Sequence, residues 1–307
     1  MIQISLHEFH AAARFMRKKG LYTPLVAMPF TQGKEGQQIL LKGENLQPSG
    51  SFKIRGATWC LHHLPDRYHG VIAYSTGNHA QAVSLAASQR GVDATIVMLP
   101  SAKKSKVEAT RRLGGKVIFH KDPNRSWIDL AKEIASEEER LLISPYDHPL
   151  VITGQGTIGI EIMQQTHPGA IFVPVGGGGL IAGIASAVKR IAPDVLLIGV
   201  EPAWEDDAYR SFQCGFNVNT PNPSKTAADA VIIERLGSLT YPLFCHFVDD
   251  MITVGEEAIM AATTQIIEES HLFVEPCGAL ALAGALSYPK PLPLHRPIVC
   301  IASGGNA

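Results

Sequence analysis

Four consecutive glycines are the most distinctive chemical feature of the sequence. They are Gly176, Gly177, Gly178 and Gly179, between the apolar residues 171–175 and 180–184. A strand, a turn without side chains and a helix start let free backbone N–H groups converge on an anion, which the helix dipole also favours. Because glycine loses more conformational entropy on folding than other residues, a merely connecting loop is a weak explanation. The segment therefore predicts an anion-binding turn.

The glycine turn alone leaves the identity of the anion open. Gly177, Gly179 and Ala182 satisfy the dinucleotide-binding fingerprint, and Glu201 follows about 20 residues later, where a ribose partner is expected. A single phosphate group would be held equally well by the same backbone. A nicotinamide-dependent oxidoreductase and an enzyme with a single-phosphate cofactor are both compatible with this turn.

A lysine near a helix start is the second chemical feature. Lys53 follows Ser51, the predicted N-cap of a helix over residues 52–63. A positive charge opposes the dipole at this end of a helix, and the same environment lowers the pKa of the amine, as a nucleophile requires. From the residues alone, a solvated surface lysine is the simpler interpretation.

Two further polar turns follow predicted strands. The first contains Ser75, Thr76, Gly77, Asn78 and His79, directly after residues 71–74. Its hydroxyls, amides and side-chain amide suit a carboxylate or an aromatic hydroxyl. The second contains Ser303, Gly304, Gly305 and Asn306, directly after residues 298–302. Both turns lie at the carboxyl ends of strands, where open α/β sheets bind their ligands.

The elements that must position these turns alternate along the chain. The predicted strands cover residues 39–42, 71–74, 94–99, 116–120, 141–144, 170–175, 195–200, 251–254 and 298–302. The predicted helices cover residues 6–19, 52–63, 79–90, 104–113, 126–140, 159–165, 180–191, 256–269 and 279–286. The strand candidates are short and mostly continuous, as in strands buried on both faces. Repeated βα units predict an α/β fold with parallel sheets between helices.

Composition excludes several classes of protein. The chain has 307 residues, a net charge of −1 and 46% hydrophobic residues, which excludes a disordered chain and gives no charge signature for nucleic acid or membrane surfaces. No apolar run reaches the roughly 18 residues of a membrane span, and no secretory signal begins the sequence. Five separated cysteines argue against a disulfide framework and a structural zinc site. We expect a soluble cytoplasmic enzyme of about two domains.

The motifs together resemble those of the fold-type II (tryptophan synthase β-like) pyridoxal-phosphate enzymes, in the serine/threonine dehydratase and serine racemase branch. They are Ser-Phe-Lys-x-Arg-Gly-Ala at 51–57, Ser-x-Gly-Asn-His-Ala-Gln at 75–81 and the four glycines, in the family's order and approximate spacing. The resemblance implies two open parallel-sheet α/β domains with the cofactor in the cleft between them. It places the smaller domain at residues 45–145 and the larger at 1–44 plus 146–307.

The resemblance also implies a role for each turn. Lys53 would bond covalently to the cofactor aldehyde, Phe52 would pack on the ring, and Asn78 would bond the 3-hydroxyl. Ser303 would bond the pyridine nitrogen, and residues 176–179 would hold the phosphate. This assignment disfavours the dinucleotide hypothesis, because one cofactor accounts for all the turns.

The resemblance implies an amino-acid substrate whose carboxylate binds the turn of Ser75, Thr76, Gly77, Asn78 and His79. Lys53 would remove the α-proton. Because Ser303 rather than a carboxylate would face the pyridine nitrogen, we expect β-elimination from L-threonine or L-serine to a 2-oxo acid and ammonia. Tyr146 stands where relatives often have a small polar or acidic residue, so its contacts with the ring are left open.

Several alternatives stay open. Thr76 occupies the place where racemases of this branch carry a catalytic serine, so a serine or related amino-acid racemase is one alternative. A 3-hydroxyaspartate dehydratase is a second, and a non-catalytic amino-acid sensor is a third. Although Thr76 keeps a hydroxyl, its stiff β-branched side chain disfavours racemisation.

An acidic segment is similar to the divalent-metal loop of racemase-like members. Its ligands would be the carboxylates of Glu201 and Asp207 and the carbonyl of Glu205, which suit Mg²⁺ or Ca²⁺. The alternative is a helix cap with acidic residues in its first turn. The resemblance further suggests a homodimer, and we expect no regulatory region after Ala307.

Overall fold

The computed structural model describes residues 2–34, 36–220 and 225–306. The strands are β1 (Leu25–Gln32), β2 (Gln38–Gly43), β3 (Gly70–Tyr74), β4 (Asp93–Met98), β5 (Gly115–Phe119), β6 (Arg140–Leu142), β7 (Ala170–Pro174), β8 (Leu196–Pro202), β9 (Asp250–Val254) and β10 (Ile298–Ala302). The helices are α1 (Leu6–Lys18), α2 (Lys53–His62), α3 (Asn78–Arg90), α4 (Lys104–Arg112), α5 (Trp127–Glu137), α6 (Pro149–Gln165), α7 (Gly179–Val188), α8 (Asp207–Cys214), α9 (Thr240–Phe247), α10 (Glu256–Ser270) and α11 (Pro276–Ser287).

The strands form two separate sheets. One has six strands in the order β1-β2-β10-β7-β8-β9, and the other has four in the order β5-β4-β3-β6. All neighbouring strands are parallel except β1 and β2, which are antiparallel. The predicted α/β class with parallel sheets is confirmed. The domain limits at residues 45 and 145 stay a prediction.

The central strands of the larger sheet are covered on both faces, as their continuous apolar sequences predict. Every residue of β7 and β10 is buried. Phe172 and Cys300 pack in a cluster with residues of α11, whereas Ile171 and Val299 pack in a second cluster with residues of α7. Successive side chains thus alternate between the two faces, which fixes the register of both strands.

The antiparallel strand β1 was not among the predicted strands. Its sequence contains Pro29, which cannot donate a ladder hydrogen bond and obscures the strand pattern. The strand lies at the edge of its sheet, where a proline is tolerated. The next residue in the strand, Phe30, is largely exposed. The helices α8 and α9 were also missed; each has only eight residues.

The helix α6 begins ten residues earlier than predicted. Three glycines in its sequence, Gly154, Gly156 and Gly159, weakened the helical pattern. A Cβ atom added at Gly154 would lie 2.6 Å from the Cα of Gly56. One added at Gly156 would lie 2.8 Å from the carbonyl oxygen of Gly183. The glycines therefore let α6 pack closely against α2 and α7. None of the helices in the described residues is long and apolar enough to cross a membrane.

Candidate active site

The start of α2 is tied to the end of β10. The N-cap of α2 is Phe52, so the prediction that Ser51 is the N-cap was wrong. The backbone of Ser51 instead pairs with Gly304, and the Phe52 N–H donates to the Ser303 carbonyl over 3.1 Å. These backbone bonds hold the first turn of α2 beside the polar turn that follows β10.

Lys53 is the first residue of α2, and the residue as a whole is half-buried. Its Nζ donates to the Pro145 carbonyl at 2.7 Å and lies 5.1 Å from the centre of the Phe52 ring. Burial lowers the pKa of Lys53 to about 8. The direction agrees with the sequence prediction, but the cause is desolvation rather than the helix dipole.

Asn78, Ser303 and Asn306 lie around the same point. The Asn306 Nδ2 donates to the Asn78 side-chain oxygen at 2.9 Å and to the Ser49 carbonyl at 2.8 Å. The Ser303 hydroxyl is buried and donates to the Cys277 carbonyl at 3.2 Å. The structure therefore brings together the starts of α2 and α3 and the turn after β10.

Sequence reasoning missed Glu275, which is only 3% exposed. Its Oε1 accepts from the Asn78 Nδ2 at 2.5 Å, whereas its Oε2 has no hydrogen-bond partner among the described residues. Burial raises the pKa of Glu275 to about 7, against the opposing effect of the Asn78 hydrogen bond. In the sequence this residue precedes Pro276 at a helix start, which indicates nothing more than a cap.

The turn between β3 and α3 presents small polar groups. Ser75, Thr76 and Gly77 are half-buried, and the Gly77 N–H donates to the Ser75 hydroxyl at 3.1 Å. The His79 ring is buried, and its Nε2 donates to the Ile143 carbonyl at 2.9 Å. Burial lowers the pKa of His79 to about 3, so the ring is neutral. His79 thus anchors the turn through the Nε2 of its ring.

The glycine turn joins β7 to α7, as predicted, and has no room for side chains. Gly178 has a φ of +84°, in the left-handed region that favours glycine. A Cβ added at Gly177 would lie 2.4 Å from the Tyr146 ring, and one at Gly176 would lie 2.9 Å from the Val231 carbonyl. The first N–H groups of α7 have no intrahelical acceptor. The result is a bare backbone cradle suited to an anion.

The acidic segment that contains Glu201, Glu205 and Asp207 caps the start of helix α8. The Glu201 carboxylate accepts from the N–H groups of Ala208 (3.2 Å) and Tyr209 (2.7 Å) in α8. The Thr220 hydroxyl bonds Glu205 and Asp207 at 3.2 and 3.1 Å. Burial raises the pKa of Asp207 to about 6. Burial and the neighbouring Asp207 charge also raise the pKa of Glu201 well above its ordinary value. Within residues 2–34, 36–220 and 225–306, no group of three or more acidic, His or Cys residues could hold a metal ion.

A buried ionic cluster, also missed from the sequence, lies two residues after Lys53. Arg55 is fully buried and bonds Glu44 at 2.7 Å and Glu161 at 2.6 Å. Lys42 bonds Glu161 at 2.8 Å. The cluster links β2, the segment after it, α2 and α6, and so fixes the helix that carries Lys53.

The site has the chemistry that pyridoxal phosphate requires. The glycine cradle would accept the phosphate, and the amine of Lys53 would meet the aldehyde. Phe52 offers an aromatic face, and Asn78 and Ser303 offer polar groups for the two edges of the ring. The turn at 75–77 keeps half-buried hydroxyls and an amide for a substrate carboxylate.

Comparison with known proteins agrees with this chemistry. The family described as pyridoxal-phosphate dependent enzyme matches residues 17–304. The chain is 44% identical over 289 residues to threonine dehydratase 1 biosynthetic, chloroplastic, of Solanum lycopersicum. That match covers 92% of this chain and 48% of the tomato protein, so the chain spans about half the length of this relative.

Two solved structures have the same fold. The threonine deaminase of T.th. has a TM-score of 0.90 and 38% identity, and the match covers 99% of each chain. Maize serine racemase has a TM-score of 0.91 and 34% identity, over 100% of this chain and 94% of the maize chain. Because a deaminase and a racemase share the fold, the fold alone does not separate the two reactions.

Proposed function

The chain belongs to the pyridoxal-phosphate dependent enzymes, and on that premise we propose that it is an ammonia-lyase. Its substrate would be L-threonine or L-serine, and its products a 2-oxo acid and ammonia. The observation that carries the proposal is the amine of Lys53, which bonds the Pro145 carbonyl and whose pKa burial lowers to about 8. Lys53 lies next to Phe52, the residue bound to Ser303. The similarity to threonine dehydratase 1 and threonine deaminase supports it.

Each residue of the site has a part in this proposal. Bound pyridoxal phosphate supplies an aldehyde for amines and a ring that stabilises negative charge on carbon. The backbone of residues 176–179 would hold its phosphate, while Asn78 and Ser303 would orient its ring and Phe52 would pack against it. Lys53 would hold the cofactor covalently and later take the α-proton of the substrate. An amine with a pKa near 8 is partly neutral at working pH, as a general base must be.

The substrate carboxylate would bind the turn between β3 and α3. The N–H groups at the start of α3 and the hydroxyls of Ser75 and Thr76 are the donors there. His79 holds this turn in place through the Ile143 carbonyl, so the donors are oriented before a substrate arrives. Gly77 would allow close approach of the substrate to the backbone.

The rate at which the apoenzyme attaches its cofactor should depend on pH. Since only the neutral amine is a nucleophile, the rate should rise about tenfold per pH unit below pH 8 and level off above it. Stopped-flow absorbance after mixing apoenzyme with pyridoxal phosphate measures this rate. A lysine with the ordinary pKa of 10.5 would give a rate that still rises above pH 9, and that result would contradict the site's effect on Lys53.

A substrate panel tests the reaction itself. Holoenzyme is incubated with L- and D-serine, L-threonine and both threo-3-hydroxyaspartates, while 2-oxo acid, ammonia and product chirality are recorded. We expect 2-oxo acid and ammonia in equal amounts from L-threonine or L-serine, with little inversion. Inversion faster than elimination would establish a racemase instead. Full cofactor occupancy without any 2-oxo acid would indicate an amino-acid sensor.

The second candidate function, racemisation, rests on Thr76. Its hydroxyl lies half-buried in the substrate turn, where an acid or base could serve the second face of a substrate. Thr76→Ser removes the methyl group and frees the side chain to rotate. In the panel this variant should raise inversion relative to elimination, and Thr76→Ala should remove inversion while leaving elimination.

A divalent cation, a homodimer and a cytoplasmic location complete the proposal. Although no group of three acidic, His or Cys side chains could hold a metal ion in the described residues, the buried Asp207 Oδ2 has no hydrogen-bond partner among them, which leaves one carboxylate oxygen for Mg²⁺ or Ca²⁺. A cation there should raise the thermal midpoint of the holoenzyme, and a chelator should lower it. Light scattering in solution gives the mass of the assembly. The family resemblance supports the dimer, and the five separated cysteines support a reducing, cytoplasmic location.

A further inference from the structure

Residues 144–147 lie between the lysine and the glycine turn. The Pro145 carbonyl accepts from the Lys53 amine at 2.7 Å. The next residue, Tyr146, packs its ring against Gly177, and its backbone lies against Gly179. The Asp147 N–H donates to the Ser144 hydroxyl at 3.0 Å and closes the segment into a turn. This short segment therefore touches both groups that would bind the cofactor.

The Asp147 carboxylate gathers four hydrogen bonds from the start of α9. It accepts from Ser238 twice, through the backbone N–H at 3.0 Å and the hydroxyl at 2.8 Å. It also accepts from the N–H groups of Leu239 at 2.8 Å and Thr240 at 3.2 Å. A Cβ at Gly237 would lie 2.3 Å from the Asp147 Oδ1, so the carboxylate packs directly against the Gly237 backbone. Hydrogen bonds of this kind to an ionised group are the strong ones.

The segment that Asp147 holds in turn fixes one peptide of the glycine turn. The Thr240 hydroxyl, which is buried, donates to the Gly177 carbonyl at 2.7 Å. The Gly237 N–H donates to the same carbonyl at 3.3 Å. In a trans peptide the C=O and the following N–H point in opposite directions. Holding the Gly177 carbonyl towards α9 therefore aims the Gly178 N–H away from α9.

We propose that Asp147 is a positioning residue for the phosphate cradle, acting through residues 237–240 on the Gly177–Gly178 peptide. The inference deepens the proposed function, because it rests on pyridoxal phosphate being the ligand of the glycine turn. It assigns a role to a side chain that would touch neither substrate nor cofactor. The segment 144–147 would also hold the glycine turn at a fixed position relative to Lys53, since the Pro145 carbonyl binds the Lys53 amine.

The test compares two ligands that differ only in the phosphate. Apoenzyme of the wild type and of Asp147→Asn is titrated with pyridoxal 5′-phosphate and, separately, with pyridoxal, and protein fluorescence gives each affinity. Asn has one oxygen fewer to accept N–H groups and no charge. We expect the variant to bind pyridoxal phosphate about tenfold more weakly, with pyridoxal affinity unchanged within about twofold.

Two further variants make the test decisive. Thr240→Val keeps the shape of the side chain but removes the hydrogen bond to the Gly177 carbonyl, so it should reproduce the selective loss. The double variant should lose no more than the larger single loss, because both changes interrupt one chain of contacts. Asp194→Asn, which removes an exposed carboxylate, is the matched control and should bind both ligands as the wild type does.

Equal weakening of both ligands would show a general effect on folding and would overturn the proposal, as would unchanged affinity for pyridoxal phosphate. If Asp147→Asn does not fold, the same criteria apply to Thr240→Val. The ratio of the two affinities does not depend on turnover. A failure of the proposed reaction would therefore show in the substrate panel, whereas a failure of this inference would show in the ratio.

Discussion

Lys53→Ala should lower 2-oxo acid formation from L-threonine by about 10²–10⁴-fold or more, the range that a single acid–base group contributes. The variant lacks both the amine that would hold the cofactor and the base that would take the α-proton. Its holoenzyme should also lack the visible band that borohydride removes from the wild type. Steady-state assays with excess cofactor and mass spectrometry after borohydride reduction measure the two effects.

The matched control is Lys104→Ala. Lys104 is likewise the first residue of a helix, α4, but its side chain is 90% exposed and pairs only loosely with Glu108. This control should keep the wild-type rate and the reducible band. A Lys53→Ala protein that still gained the mass of reduced cofactor at a single site would show that another lysine forms the link.

Arg55→Met should lower the free energy of unfolding by about 3–5 kcal/mol, the usual cost of removing one partner of a buried ion pair. The change leaves Glu44 and Glu161 buried without the guanidinium that both contact. Burial opposes the ionisation of Glu44, but the Arg55 charge outweighs it and lowers the pKa of that carboxyl. Without Arg55, Glu161 keeps its bond to Lys42 and Glu44 keeps the hydrogen bond from Thr23, but both carboxylates lose their largest compensating charge. Denaturant unfolding of the apoenzyme measures the difference.

Arg296→Met provides the comparison for Arg55→Met. Arg296 pairs with Asp194 on the surface, where the side chains are 41% and 58% exposed. Solvent screens such a pair, so this variant should lose less than about 1 kcal/mol. Similar losses in the two variants would mean that the buried cluster does not stabilise the fold.

Local patterns in the sequence were sufficient to locate the turns that the structure brings together, whereas the role of each residue in them stays a prediction. The glycine turn and the turn holding Asn78 each lie between a strand and a helix, Lys53 is the first residue of a helix, and Ser303 directly follows a strand. Periodicity reveals such element ends. Continuous apolar runs likewise predicted the central strands β7 and β10. The position of the Lys53 amine beside Pro145 was not predictable, because the two residues are 92 positions apart.

The parts that were missed depend on contacts between distant segments. Glu275 meets Asn78 across 197 positions, and Asp147 meets Ser238 across 91. No motif marks either carboxylate, since its partners are backbone groups, a hydroxyl or an amide elsewhere in the chain. Ser51 was misassigned for the same reason: its backbone pairs with Gly304, which moved the helix start by one residue.

The place of β10 in the larger sheet has a consequence for how the protein is made. β10 lies between β2 and β7, and the residues after it bind the segment before α2. During synthesis the smaller sheet, built from residues 70–142, can form early from contacts close in sequence. The larger sheet cannot be completed until residues 298–302 leave the ribosome. Until then β2 and β7 each have an edge without a partner strand. The candidate site, which needs Ser303 beside Phe52, therefore cannot assemble before β10 is in place, and a nascent chain stalled before β10 should aggregate rather than work at partial rate.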